Sequence, residues 1–480
     1  MKLSGFTLCS LLAVSAVSAS VLHLVPGNDD AHEHLVKRHG FVRRQAAQSG
    51  PTASNEADFA KIKDPKQQCA VYGVPEITQM QDQGVIPTGG EPATIQQKDA
   101  EAQKIWKDIQ DSGIIPNDVQ VKKQQGSEPH MGIDSSSYNA QEDPDCWWSA
   151  STCKTPKHKN PGMMEDLYTC PEPDTWGLTF DDGPNCSHNA FYDFLAENKL
   201  RATLFYIGTN VLNHPYQAQR GIADGHDICV HTWSHRYMTT FESDQVFAEL
   251  YYTARLIKQV MGVTPTCWRP PYGDVDDRVR AIAAGLGLRT ILWEEDTNDW
   301  QIQPSGAKPT SVIDQNYQSI IGKAGSESPI VLTHEIVSAT MKEFMKMYPK
   351  VKEAYKNVVP LTACQNITQP YPEDQLKYPN FKDFTGGNIA PSGLPDGQSM
   401  KVDPNAKFEP VALDQQAKNG YGYGDPKSGS GGGGDSSSSS SSGGSGSDSE
   451  EGSSAAAALS TSFASTAALF VAGAVAIAVI

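Results

Sequence analysis

From about residue 146 onward, short apolar runs alternate with amphipathic stretches, the texture of successive βα units. The runs fall at 176–180, 202–207, 228–231, 266–269, 290–293 and 330–333. Each has strand length and is followed by polar or turn-forming residues. Between them, the clearest helical pattern spans 244–261, where Val246, Leu250, Ile257 and Met261 keep a helical spacing and Gly262 closes the helix. A second helix is predicted at 276–286. Polar residues gather where the runs end: Asp181 and Asp182 follow the first, His231 ends the third, Arg269 ends the fourth and His334 follows the last. Chemistry collected at the carboxyl ends of parallel strands is what an α/β barrel produces. Six strands are too few for a regular one, so the expectation is an incomplete or distorted barrel over 146–365.

The flanks read differently. Residues 20–145 are polar, poor in aromatics and broken by Gly and Pro, so one helix near 100–110 and otherwise loose order are expected. A C-terminal extension follows at 366–427. Residues 1–19 carry Lys2, an apolar stretch and a small-residue end, the signature of a secretory signal peptide. Lys37-Arg38 and Arg43-Arg44 are dibasic pairs at which the extension could be processed. Residues 428–454 are almost all Gly and Ser and read as a flexible stalk. Residues 455–480 end in an uncharged tail preceded by Gly452, Ser453 and Ser454, as a glycolipid (GPI) anchor signal requires. A transmembrane anchor is the alternative, but the apolar run is short and nothing basic follows it. The expectation is a secreted, GPI-anchored protein at the plasma membrane and cell wall.

Charge and cysteines narrow the picture. A formal net charge of −17 argues against a nucleic-acid partner, which would demand a basic face. Of nine cysteines, Cys9 leaves with the signal peptide, and the remaining eight suggest disulfides with about 105 formal connectivities. No Cys-x-x-Cys pair supports a structural zinc knot. Glycosylation sequons begin at Asn185 and Asn366. The first sits almost inside the candidate catalytic loop, so occupancy is expected at Asn366.

The candidate chemistry starts from His231 and His235, four residues apart and able to share one face of a helical turn. Two imidazoles with one carboxylate make a donor set typical of a catalytic zinc that keeps one position open. The second of Asp181 and Asp182 is then free to act as a base. Taken singly, each motif has a plain explanation: Asp-Asp-Gly-Pro as a surface turn, the His pair as satisfied core residues, Arg-Pro-Pro as a rigid loop. Their joint occurrence at strand ends defeats that explanation. His188, His214 and His226 have no such company and read as structural or exposed. A metalloprotease would need Glu directly after the first His; Thr232 stands there.

Asp181-Asp182, His231/His235, the 269–273 run Arg-Pro-Pro-Tyr-Gly, the 296–300 run Asp-Thr-Asn-Asp-Trp and Leu332-Thr333-His334 occur in this order. Over about 165–364 the chain therefore resembles polysaccharide deacetylases of carbohydrate esterase family four. Within that family it looks most like the glycolipid-anchored fungal chitin deacetylases. The resemblance implies a distorted (β/α) barrel of the NodB type and one divalent metal, zinc first, with cobalt or manganese as alternatives. It implies Asp182, His231 and His235 as ligands, Asp181 as general base and His334 as general acid. Arg269 would pair with Asp181, Asp299 would orient His334, and the Tyr272 backbone N–H would bind the oxyanion and substrate. Trp300 would wall the groove, and Cys170 would pair with Cys364. The implied activity is hydrolysis of the N-acetyl groups of chitin or N-acetylglucosamine oligomers by a monomeric enzyme. Peptidoglycan, acetylxylan, or chitin binding without turnover are the alternatives.

Overall fold

Nine consecutive buried residues, Thr175–Gly183, form the strand (β1) around which this computed structural model is organised. The structure describes residues 53–126, 132–160, 162–302 and 308–424. The signal peptide, the dibasic pairs, the stalk and the anchor site at Gly452, Ser453 and Ser454 lie outside the described residues. Trp176, Leu178 and Phe180 of β1 are wholly enclosed. Both faces of this strand are covered, so it reads as a continuous apolar run rather than an alternating one.

Each of the six apolar runs carries a strand: β1, β2 (Thr203–Tyr206), β3 (Asp227–Val230), β4 (Cys267–Trp268), β5 (Arg289–Thr290) and β7 (Ile330–Leu332). Two more strands of this sheet were not foreseen, β6 (Glu295–Asp296) and β8 (Asn357–Val359), nor was a separate short antiparallel pair, Lys123–Gln124 with Ile133–Asp134. The order across the sheet is β5-β4-β3-β2-β1-β7-β6, with β8 beside the first half of β1. Every pairing in it is parallel. The sheet curls into a half-barrel whose open side is bridged by the segment 167–170. Leu167 N–H donates to Thr290 O at 3.1 Å, and Leu292 N–H donates back to Leu167 O at 2.7 Å. On the other edge, Cys170 N–H donates to Ser328 O at 2.8 Å and Ile330 N–H to Tyr168 O at 3.2 Å. The helices expected at 244–261 and 276–286 are present as Ser243–Met261 and Asp277–Gly285. Gly262 closes the first at φ 77°.

The flanks correct the expectation of loose order. Helices form at Glu56–Phe59, Pro65–Gln68, Pro75–Gln83 and Ala100–Asp111. Phe59 and Met80 are fully buried, the Tyr72 ring stacks on Tyr216 at 5.0 Å, and Trp106 packs on Phe247 at 5.2 Å. Few apolar residues suffice here because they are spent against the barrel, not on a core of their own. Residues 371–423 behave alike: Tyr371, Tyr378 and Tyr423 are buried, and the hydroxyls of Tyr371 and Tyr423 bond Asp227 at the foot of β3.

Among the described residues all eight cysteines are paired: Cys69–Cys186, Cys146–Cys153, Cys170–Cys364 and Cys229–Cys267. Cys170–Cys364 is the pairing that the resemblance implied. The first bond ties the N-terminal flank to the loop after β1.

Candidate active site and metal centre

The site is assembled at the carboxyl end of the sheet. The register of β1 slips against β2 between Phe180 and Gly183, and Asp182 takes a positive φ of 69°. The two adjacent carboxylates therefore do not simply alternate across the sheet. Asp181 N–H donates to Thr333 O at 2.9 Å, and Glu335 N–H donates to Asp181 O at 3.0 Å, which sets Asp181 beside His334. Gly183 has no alternative, because a Cβ there would collide with the buried Glu335 carboxylate.

His231 and His235 do converge, their rings 4.9 Å apart, but not on a helical turn as the spacing suggested. Residues 231–237 form an irregular loop with positive φ at Thr232 and His235. Its shape is set by Glu249, which is fully buried in the Ser243–Met261 helix. Its carboxylate accepts from Trp233 N at 2.9 Å, Ser234 N at 2.8 Å, Ser234 Oγ at 2.8 Å and Ala93 N at 2.7 Å. A buried carboxylate that gathers backbone N–H groups fixes a loop which has no regular hydrogen bonding of its own.

Asp182 Oδ1 lies 3.4 Å from His231 Nε2 and 3.1 Å from His235 Nε2, with all three residues buried. Burial would raise the Asp182 carboxyl, but the two imidazoles hold it well below the ordinary carboxylate range. His231 Nδ1 lies 2.8 Å from the carbonyl of Arg269. A carbonyl only accepts, so Nδ1 donates to it, which leaves Nε2 as the nitrogen that faces Asp182 and would ligate an ion. That is the tautomer a metal-ligating imidazole needs, held by the kind of partner such ligands usually have. One carboxylate and two imidazoles within 4.8 Å of one another form a donor set that fits a borderline divalent ion. Two further clusters, around Asp143 and Asp227, contain cysteines already in disulfides and offer no thiolates.

Two pairs flank this triad. Arg269, fully buried over the Phe205 ring, donates to Asp181 Oδ1 at 2.7 Å, Thr179 Oγ1 at 2.9 Å and Leu292 O at 3.2 Å. His334 is gripped twice by Asp299: Nδ1 lies 2.6 Å from Oδ1, and its backbone N–H donates to Oδ2 at 2.9 Å. Burial pulls the imidazole down, but the Asp299 carboxylate outweighs it and His334 is pushed up to about 10. The site thus holds a carboxylate and an imidazolium side by side.

Asp181, Asp182, His231, His235, Tyr272, Trp300 and His334 share one cleft of about 310 Å³. Tyr272 sits at φ 59° in the turn after Arg269, its ring stacked on Tyr237 at 4.2 Å. The cleft has further walls that sequence reasoning missed, Trp148, Tyr237, Trp293 and Asp296. Burial lifts the Asp296 carboxyl to about 6. Asn185 Nδ2 donates to Ile336 O at 2.8 Å, whereas Asn366 is exposed and accepts from Phe381 N at 3.0 Å.

A family model described as polysaccharide deacetylase matches residues 169–291. The chain is 44% identical over 393 residues to chitin deacetylase 2 of Cryptococcus neoformans var. grubii, covering 79% of this chain and 84% of that protein. It is 45% identical over 319 residues to a chitin deacetylase of Amylomyces rouxii, covering 65% and 73%. Among solved structures, the chitin deacetylase of Colletotrichum lindemuthianum matches at 26% identity and a TM-score of 0.38, over 42% of this chain and 90% of that one.

Proposed function

The chain belongs to the polysaccharide deacetylase family, and from that premise we propose that it hydrolyses the N-acetyl groups of chitin, releasing acetate and leaving chitosan. The observation that carries the mechanism is the flanking of Asp182, His231 and His235 by Asp181 on one side and His334 on the other. An acetamide is a poor electrophile with a poor leaving group, so it calls for both a strong nucleophile and a proton donor. Asp182, His231 and His235 would hold a divalent ion, which would supply the Lewis acidity that acidifies water and polarises the acetyl carbonyl. Asp181, aimed by Arg269, takes the proton from that water. The Tyr272 backbone N–H donates a hydrogen bond to the carbonyl oxygen as negative charge grows on it. His334, kept protonated by Asp299, delivers its proton to the departing amine. Trp300 walls the groove. Zinc is the ion this donor set favours, with cobalt or manganese as substitutes.

Location follows the same reading. The signal peptide directs the chain outward, and the tail is exchanged for a glycolipid near Gly452, Ser453 or Ser454. The 428–454 stalk then holds a monomeric enzyme at the plasma membrane, within reach of wall polymer. Asn366 carries the glycan; the Asn185 amide is already engaged with Ile336.

Acetylxylan and peptidoglycan present the same acetyl group to such machinery; the similarity to chitin deacetylases decides for chitin. The test is acetate release from N-acetylglucosamine oligomers by residues 20–427, with and without chelator. Acetate that vanishes with chelator and returns with zinc supports the reading. Oligomer binding without acetate, whatever metal is supplied, would make the protein a chitin-binding module instead.

A further inference from the structure

We propose that Trp148 and Trp293 form a stacking subsite for a sugar ring of the polymer beside the reacting one, so that the segment before the barrel takes part in substrate selection. This rests on the deacetylase reading of the cleft. Apart from Trp106, which packs on Phe247, the chain's tryptophans divide into two groups. Trp147, Trp176, Trp233 and Trp268 are enclosed in the core. Trp148, Trp293 and Trp300 are half-buried and line the cleft that contains Asp181 and His334. The rings of Trp148 and Trp293 lie 5.0 Å apart, inclined at 58°, giving two adjoining aromatic faces. An indole face suits the apolar C–H face of a pyranose, and its N–H suits a hydroxyl or an acetamido oxygen.

Trp148 is held as a platform must be. Cys146–Cys153 closes its loop, and the Trp148 N–H donates to Val275 O at 3.0 Å. Asp274 accepts from Trp147 Nε1 at 2.9 Å and from Ser149 Oγ at 2.8 Å on one side. With its other oxygen it accepts from Thr239 N at 2.8 Å, in the stretch just after His235 and Tyr237. The Trp148 ring lies on Gly273, where any Cβ would strike it and where φ is 71°. The glycine after Tyr272 is therefore the seat of the platform, and the platform is built onto the oxyanion turn. A ring held this rigidly loses little freedom when a sugar stacks on it.

The experiment compares N-acetylglucosamine dimer and pentamer as substrates for the full metal-loaded enzyme and its Trp148→Ala and Trp148→Phe variants. Trp148→Ala is expected to lower kcat/KM for the pentamer about tenfold more than for the dimer, about 1.4 kcal/mol of binding, chiefly through KM. Trp148→Phe should recover most of that difference. An equal loss on both lengths, or none, would overturn the subsite; an equal loss would mean that Trp148 only supports the Tyr272 turn. Should Trp148→Ala fail to fold, Trp148→Leu and Trp293→Leu, which fill space without an aromatic face, carry the same comparison. If the wild-type enzyme releases no acetate from any oligomer, the deacetylase reading fails. Pentamer binding by calorimetry, wild type against Trp148→Ala, then still decides the subsite: equal affinity overturns it.

Discussion

Replacing Asp299 by Asn isolates the proton donor. The substitution keeps size but removes the charge that faces His334 Nδ1 at 2.6 Å, along with one of the two oxygens that accept from His334. In the wild type that charge overcomes burial and holds His334 at about 10, so at pH 8 the imidazole is about 99% protonated. Without it, burial lowers the group against the remaining pull of Asp182 and Asp181; an imidazole at its ordinary value of about 6.5 is roughly 76% protonated at pH 6 and about 3% at pH 8. The ratio of wild-type to variant kcat/KM should therefore grow between pH 6 and pH 8, by about 25-fold for an imidazole at that ordinary value. The sign is the same for stability. A histidine raised in the folded state stabilises fully below its unfolded value of about 6.5 and loses that contribution as pH rises through about 10. The variant should thus lose more stability at pH 6 than at pH 10.5. The assay is acetate release from N-acetylglucosamine pentamer across pH 5.5 to 9, with thermal melts alongside. A ratio that stays flat between pH 6 and pH 8 would refute the assignment of His334 as an acid maintained by Asp299.

Three further outcomes are expected. His231→Ala should lose the bound ion, read by elemental analysis, together with acetate release. Glu249→Ala leaves four hydrogen bonds to Ala93, Trp233 and Ser234 unmade, and unmet buried donors cost about 1–3 kcal/mol each. It should lower Tm by more than about 5 °C and weaken metal binding, read by calorimetry and metal titration. A chain ending at Gly452 should appear in the medium with full activity, since His334 is the last of the catalytic groups; retention on the cell would argue against the glycolipid anchor.

The strands were legible because β1 to β5 and β7 are buried on both faces and so stand out as apolar runs. Their chemistry was legible because four of the six runs end at Asp181-Asp182, His231, Arg269 or His334, titratable residues that a core strand would not tolerate. Strands β6 and β8 are two and three residues long and carry no such signal. The histidine loop escaped because its conformation is dictated by Glu249, sixteen to eighteen residues downstream of the loop's own residues 231–233. Glu249 looked like one more polar residue on an amphipathic helix. Trp148 escaped for a similar reason. It lies at the junction of a polar flank with the barrel, and only the closure by Cys146–Cys153 and the contact with Gly273 bring it into the cleft. The flanks themselves misled because an element that packs on another domain needs few apolar residues of its own. His188 and His226, read as structural, are indeed buried, and burial holds both imidazoles well below their ordinary value.

The central claim is a division of labour between adjacent carboxylates, Asp182 for the ion and Asp181 for the proton. It is tested most directly by measuring metal content and acetate release on the same preparation of Asp181→Asn. The expected result is one divalent ion per chain, as in the wild type, with turnover on N-acetylglucosamine pentamer reduced by roughly 10² to 10⁴. Loss of the ion, or turnover at the wild-type rate with the ion in place, would contradict it.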